Sequence, residues 1–375
     1  MYYNFSYLCS MESRKLYEIA LTFVQGIGDV TGKKLVAYCG GAEAVFCETK
    51  KALAKIPNIT ENVVKSIMSK DVMARAEAEL LFVEKNSITP LFYLDTQYPK
   101  RLQHCHDSPM LLYYKGEANL NTEKVVGVVG TRNISEYGKY ITENIIGELA
   151  ADNVLIVSGL AYGVDAAAHR AALKYDLATV GVLGHGMQTI YPAENRKLSQ
   201  KMLEKGGVLT EFISGTKPDR ENFPQRNRIV AGMVDCLIVI ESALKGGAMI
   251  TADIANSYDR EVFAVPGRVG DIYSEGCNCL IRTNKANLVT SANDIRYVMR
   301  WDVDTKVVSK QMRLFRDFSE DEKKVMDAFG NNNIVHLDDI IVGSELSPSK
   351  IASVLLSLEF DGVLTALPGK RYQKL

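Results

Sequence analysis

Two glycine-bearing turns and one Arg-Asn-Arg triplet are the parts of this 375-residue sequence best suited to chemistry. Gly130-Thr131-Arg132 follows the β-branched run 125–129, and Ser158-Gly159-Leu160-Ala161-Tyr162-Gly163 follows the run 154–157. A glycine at a strand end lets backbone amides approach an anion, and an adjacent arginine can fork onto phosphate oxygens. Lys245-Gly246-Gly247 precedes a helix carrying Thr251, a third helix start open to phosphate. Arg226-Asn227-Arg228 reads as a further helix start, leading into Ile229-Val230, with Phe223-Pro224 ahead of it suggesting a held loop. Arginines spaced i, i+2 cannot share one helical face, so one is expected at the ligand and the other pinning the loop to the core. Turns of this kind converging on one sheet edge mean a chain of phosphates more naturally than a lone nucleotide. Guanidinium groups would neutralise them in place of a metal.

Other chemistries fit less well. A nicotinamide-dinucleotide site wants G-x-G-x-x-G after the first strand and an acidic residue after the second, and neither is present. A phosphate-loop match around Gly28–Lys33 fails because its spacing puts Ile27 where glycine is needed and Lys34 where a hydroxyl is needed. Asp165 and His169, four residues apart on one helical face, form either an acid–base couple or a structural brace, and the brace is favoured. His185, between Gly184 and Gly186, is placed at a strand end as a ligand contact or a solvated loop residue. No G-x-S-x-G nucleophile elbow occurs. Cys277 and Cys279 are spaced C-x-C without a second pair or nearby histidine, so no metal site is expected there.

The elements that must position these groups change along the chain. Residues 1–85 read as short helices: Leu16, Ile19, Ala20 and Phe23 have helical spacing, and Gln25-Gly26-Ile27-Gly28 separates them from a second helix through Leu35 and Tyr38. That is a helix-hairpin-helix pattern, whose amides can grip a DNA phosphate. Ile56-Pro57-Asn58-Ile59 resembles a degenerate second copy, and a ligand-free packing module is the alternative. Residues 86–301 alternate strands, at 125–129, 154–157, 179–183, 208–211, 236–240 and 261–265, with helices such as 166–174 and 195–204. The near-continuous β-branched runs predict an α/β domain with a doubly wound parallel sheet, which binds ligands at its carboxyl edge. Residues 302–316 read as a linker, and 317–375 as helices closed by a hairpin, a winged helix. Ser347-Pro348 there is a helix start and Gly362 a stop.

Bulk properties narrow the class. At 47% hydrophobic and 24% charged the composition is that of a water-soluble globular protein. A net charge of −1 means that any polyanion site must come from local clustering. No apolar run is long enough to span a bilayer, Met1–Ser10 lacks the features of a secretory signal, and seven scattered cysteines suit a reducing cytoplasm. A cytoplasmic protein without membrane contact is expected.

Taken in order, several motifs resemble the DNA-processing protein A family (DprA, also called Smf). They are Tyr98-Pro99, Val128-Val129-Gly130-Thr131-Arg132, Ser158 through Asp165 with Ala168-His169, Tyr191-Pro192 with Asn195, Phe223-Pro224-x-Arg226-Asn227-Arg228, Gly246-Gly247 to Ile250-Thr251-Ala252, and Ala264-Val265-Pro266-Gly267. The resemblance covers over half the chain. It implies an extended Rossmann-like domain that binds single-stranded DNA, forms a homodimer and loads the recombinase RecA in natural transformation or homologous recombination. It implies no cofactor and no catalysis. By motif, Gly130, Thr131, Arg132, Gly159, Gly163, Asn195, Arg226, Asn227, Arg228, Lys245, Gly246, Gly247 and Thr251 would form the DNA pocket. Lys245-Gly246-Gly247 stands where the family usually has Ser-Gly-Ser, and Lys285-Ala286 where it has Gly-Ala. The alternative is a nucleotide-hydrolysing enzyme of the related Rossmann-like class, but the position of its catalytic glutamate, three after the threonine, is Ile254. The tail carries ten acidic and six basic residues over 317–375, which disfavours DNA contact by that module alone.

Overall fold

A computed structural model describes residues 14–301 and 318–375. The linker at 302–316 and Met1–Ser10 lie outside the described residues.

The β-branched runs form the centre of a nine-stranded sheet. Its strands are β1 (Thr89–Phe92), β2 (Leu111–Gly116), β3 (Val125–Val129), β4 (Leu155–Ser158), β5 (Thr179–Val182), β6 (Gly207–Thr210), β7 (Cys236–Val239), β8 (Glu261–Ala264) and β9 (Asn287–Leu288). They lie in the order β1-β2-β6-β5-β4-β3-β7-β8-β9. Side-chain alternation splits the central strands β3, β4, β7 and β8 between two cores. Val125 and Val129 face one and Val126 and Val128 the other; Leu237 and Val239 oppose Cys236 and Ile238 in the same way. The pairs from β6 through β9 are parallel, as the alternation with helices requires. The sheet is nevertheless mixed, because β2 pairs antiparallel with β6 and β1 antiparallel with β2. These two strands and the two-residue edge strand β9 escape the sequence reading: β1 carries Pro90, and β2 has no β-branched residue and ends in Lys115-Gly116.

Strand order reverses at β3, which has β4 on one side and β7 on the other. This is the switch point at which a doubly wound sheet opens a crevice beyond its carboxyl ends.

The helical front end packs on the β1–β2 edge, with Ile19, Leu35, Val45 and Val64 sharing a core with Phe92, Leu111 and Tyr113. Gly26 there has φ +84°, and the adjacent Gln25 amide donates to Ser66 Oγ at 2.9 Å, so one amide of the expected hairpin is already partnered. Asn58 supplies a φ of +67° in the degenerate second copy.

Residues 318–375 build a winged helix around Val325, Phe329, Ile340, Ile351, Leu355 and Leu364. Its three helices are Glu320–Ala328, Leu337–Ser344 and Pro348–Phe360, and its strands β10 (Ile334–His336), β11 (Leu364–Leu367) and β12 (Arg371–Lys374) order as β10-β12-β11. Ser319 and Glu322 close a capping box on the first helix, and Gly362 (φ +67°) follows the last. Among the described residues no single helix is long and apolar enough to cross a membrane.

Candidate nucleic-acid interface

The Gly130-Thr131-Arg132 turn leaves β3 at the switch point and is stitched to both neighbours. Thr131 N–H donates to Glu241 O at the end of β7 (2.7 Å), and Thr131 O accepts from Val164 N–H at the start of the helix Val164–Lys174 (3.1 Å). A Cβ on Gly130 would lie 2.9 Å from the Glu241 carbonyl oxygen, so only glycine lets the three segments close. The Glu241 carboxylate adds a second tie. It accepts from Ser135 N–H (2.9 Å) and from the Ser135 hydroxyl, while Ser135 Oγ caps the helix Glu136–Leu149 through Gly138 N–H. With its backbone held, Arg132 stands exposed, its guanidinium carbon 5.3 Å from the Phe223 ring centre.

The second turn is held from below. Asn195 is buried and its Nδ2 donates to Leu160 O (2.9 Å) and Ala161 O (3.2 Å). Ala161 N–H donates to Asp165 Oδ2 (3.2 Å). Gly163 (φ +75°) has no room for a Cβ, which would lie 2.6 Å from the Arg132 carbonyl. The two turns therefore touch backbone to backbone, a contact their separation of about thirty residues does not reveal.

Arg226 forms the floor between them. The helix carrying it runs Asn222–Met233, so the triplet sits inside the helix rather than at its start, and Phe223-Pro224 occupy the first turn. Proline is tolerated there because the first turn's amides lack intrahelical partners. Arg226 is buried and donates to the carbonyls of Gly159 and Val182, and its Nε donates to Asn227 Oδ1 at 3.2 Å. Gly159 lacks a Cβ where one would press into that guanidinium, 2.6 Å from its Cζ. Burial lowers the Arg226 pKa from its ordinary value, with the nearby Asp165 carboxylate opposing that shift. An arginine keeps its proton regardless, so a fixed positive charge lies beneath the pocket.

Arg132, Arg226, Phe223, Tyr162 and Tyr191 line one pocket at the carboxyl ends of β4 and β5. Tyr191 and Phe223 lie 6.1 Å apart, centre to centre. His185 is buried rather than solvated; its Nδ1 lies 2.9 Å from Gly186 O, and its Nε2 accepts from Tyr191 N–H at 3.3 Å, which holds that wall. Burial lowers its pKa, so the ring is a neutral brace. His169 is likewise buried, with Nδ1 2.6 Å from Thr179 Oγ1 and its pKa pushed down to about 3 by burial. No hydrogen bond joins it to Asp165, whose own pKa burial raises. Both residues are structural, but the carboxylate does not orient the imidazole as a paired brace would: Asp165 holds the Ala161 turn and His169 holds Thr179.

The remaining expected residues separate. Lys245 is exposed and Gly246 begins the helix Gly247–Ser257 without a side-chain cap. This start lies beyond β7 on the same sheet edge but outside the pocket of Arg132 and Arg226. Thr251 is buried and its hydroxyl donates to Gly247 O at 3.2 Å, closing its own helix. Arg228 turns away altogether. It pairs with Glu211 and with Asp29 (3.3 Å) and donates to Asp107 O, tying the helical front end to the sheet. Two residues apart on a helix means about 200° of rotation, so Arg226 and Arg228 face opposite sides. Glu241, Tyr162, Tyr191 and Phe223 were not among the expected site residues; Tyr191-Pro192 and Phe223-Pro224 were the visible signals for the last two.

A sequence profile described as DNA recombination-mediator protein A matches residues 89–300. The chain belongs to that family. A second profile, the DprA winged helix domain, matches residues 316–370 of this family member. Among similar proteins, Protein Smf of Synechocystis is 29% identical over 410 residues, covering 96% of this chain and 99% of that protein. Protein Smf of Escherichia coli is 34% identical over 277 residues, covering 72% and 74%. Of solved structures, DNA processing protein A from Streptococcus pneumoniae aligns with a TM-score of 0.65 at 35% identity, over 75% of this chain and 97% of that one. The Helicobacter pylori DNA processing protein A, whose structure addresses its single-stranded DNA binding mode, aligns at 0.52 and 30% identity, over 57% and 96%. The Rossmann-like domain and the winged helix are thus family features of this chain.

Proposed function

We propose that this family member is a non-catalytic single-stranded-DNA-binding protein of recombination, which protects a strand and delivers it to a RecA-type recombinase. The observation that carries this reading is the exposed Arg132 guanidinium standing over Phe223, above the buried charge of Arg226 and beside Tyr191. Cations on a backbone-defined turn suit phosphates, and aromatic faces suit stacked bases of any identity. In a duplex the bases are stacked inside, so aromatic walls at a narrow crevice favour a single strand. The DNA binding of the H. pylori relative supports the same reading. Gly130, Thr131, Gly159, Gly163, Asn195 and Asn227 shape the pocket, and Lys245, Gly246 and Gly247 extend the phosphate track along the sheet edge. Thr251 and Arg228 support it from behind. The protein acts as a homodimer in the cytoplasm, without a cofactor.

The test is anisotropy titration of a labelled oligo-dT at two salt concentrations, against duplex of equal length. Salt-sensitive binding that prefers the single strand is expected. Arg132→Ala should weaken it uniformly across sequences and flatten the log–log salt slope by about 0.7, one phosphate contact on a single strand. Unchanged affinity and slope would remove the central residue from the reading. Release of free base from a nucleotide would favour the hydrolase instead. Sedimentation and RecA filament assembly on a coated strand test the dimer and the delivery step.

A further inference from the structure

Far from the pocket in sequence and in the sheet, a histidine of the Rossmann-like domain meets the winged helix. His104 follows the short helix Lys100–Gln103, and His336 ends β10. Their rings stack with centres 3.9 Å apart and planes 18° from parallel. Asp338 Oδ2 lies 3.8 Å from His104 Nδ1 and 3.5 Å from His336 Nδ1, and one donor atom from each of the three residues falls within 4.8 Å of the others. Ligands about 2.0–2.1 Å from a tetrahedral ion sit about 3.3 Å from one another. Two of the separations need close by only a few tenths of an ångström.

A fourth group lies within about an ångström of the position such a site requires. Asp339 Oδ2 lies 3.8 Å from His104 Nε2, on the other side of the ring from Asp338. An imidazole that ligates through Nδ1 keeps its Nε2 proton for a carboxylate, which fixes its orientation and raises its basicity. We propose that His104, His336 and Asp338 form a zinc-class divalent metal site, oriented by Asp339, that clasps the winged helix to the Rossmann-like domain.

Two imidazoles with one carboxylate suit zinc, cobalt, nickel or copper rather than magnesium or calcium. Both rings are half-buried, and the Asp338 carboxylate faces Nδ1 of each. Arg260, Lys100 and Arg371 also face these rings, and the two carboxylates offset that positive field. His336 Nδ1 now accepts from Asp338 N–H at 3.2 Å as the cap of the helix Leu337–Ser344, and an ion would take over that lone pair. The rings turn toward an ion by rotation about χ2, a soft torsion. The clasp reinforces an existing dock, in which Arg371 meets Asp235 (3.0 Å) and Lys370 meets Asp259 (2.6 Å).

The experiment titrates Co²⁺ into the chelator-stripped full chain and follows visible absorption, then displaces it with Zn²⁺. One Co²⁺ per chain is expected, with weak nitrogen–oxygen d–d bands and no thiolate charge-transfer band. His104→Ala and His336→Ala lie in different domains, and each should weaken binding by roughly 100-fold or more; Asp339→Asn should keep the stoichiometry and cost about 10–100-fold. Melting curves without metal check that the variants fold. Binding that survives either histidine substitution, or carries a thiolate band, or does not occur in the folded wild type, overturns the site.

Discussion

Replacing Gly163 with alanine tests the contact on which the interface geometry rests. Gly163 has φ +75° and ψ −123°, outside the left-handed helical region and open essentially to glycine alone, so an L side chain there costs about 1–3 kcal/mol. Its new Cβ would also meet the Thr131 and Arg132 carbonyls, 2.6 Å from the latter, where real Cβ atoms stay beyond 3.0 Å. Both obstacles are backbone, so the two turns must part. The bond from Val164 N–H to Thr131 O at 3.1 Å goes with them, a further loss of about 1 kcal/mol. The sum is roughly 2–4 kcal/mol, or a fall in melting temperature of about 5–15 °C for a domain of this size. Because the parting moves Arg132, oligo-dT affinity measured on the folded fraction should drop as well, on the order of tenfold for one charged phosphate contact. Differential scanning fluorimetry and anisotropy at a temperature well below the melt measure the two separately. A variant with lower stability but full affinity would show that the position of the Arg132 turn does not govern binding. A variant with neither change would show that the turns do not touch as described.

Gly247→Ala is the matching contrast: nothing lies within 4 Å of its Cβ and it opens a helix, so the melting temperature should hold or rise while affinity falls if phosphate reaches that helix start. Arg228→Ala should behave in the opposite way to Arg132→Ala. It strands the buried Glu211, while Asp29 keeps the Met110 N–H, and should cost about 3 kcal/mol of stability, read by denaturant melts, with affinity of the folded protein unchanged. Burial raises the Glu211 pKa from 4.5 to about 7 against the pull of Arg228. The folded state then binds more protons than the unfolded one between those values, so this group's contribution to stability declines as pH rises from about 4.5 to 7. Glu211→Gln should remove that component of the slope in melts taken across the window, and an unchanged slope would assign it elsewhere.

The sequence by itself determined the parallel core of the sheet, because strands buried on both faces must be written as β-branched runs, and 125–129 and 236–240 leave little choice. It also determined the winged helix, through Ser347-Pro348, Gly362 and the hairpin that follows, and it marked the glycine turns, since close backbone approach excludes a Cβ. Strands β1, β2 and β9 were hidden for different reasons: β1 carries Pro90, β2 is a Leu-Leu-Tyr-Tyr run without a β-branched residue, and β9 has only two residues. Only the tertiary structure decided which cations meet. Arg226 and Arg228 are chemically alike and adjacent in the text, yet helical rotation sends one under the pocket and the other to Glu211 and Asp29. Thr251 shows the same limit: a hydroxyl at a helix start reads as a ligand group until its carbonyl partner at Gly247 is seen. Residue type fixes what a side chain can bind, but the direction it faces depends on packing between segments far apart in the chain.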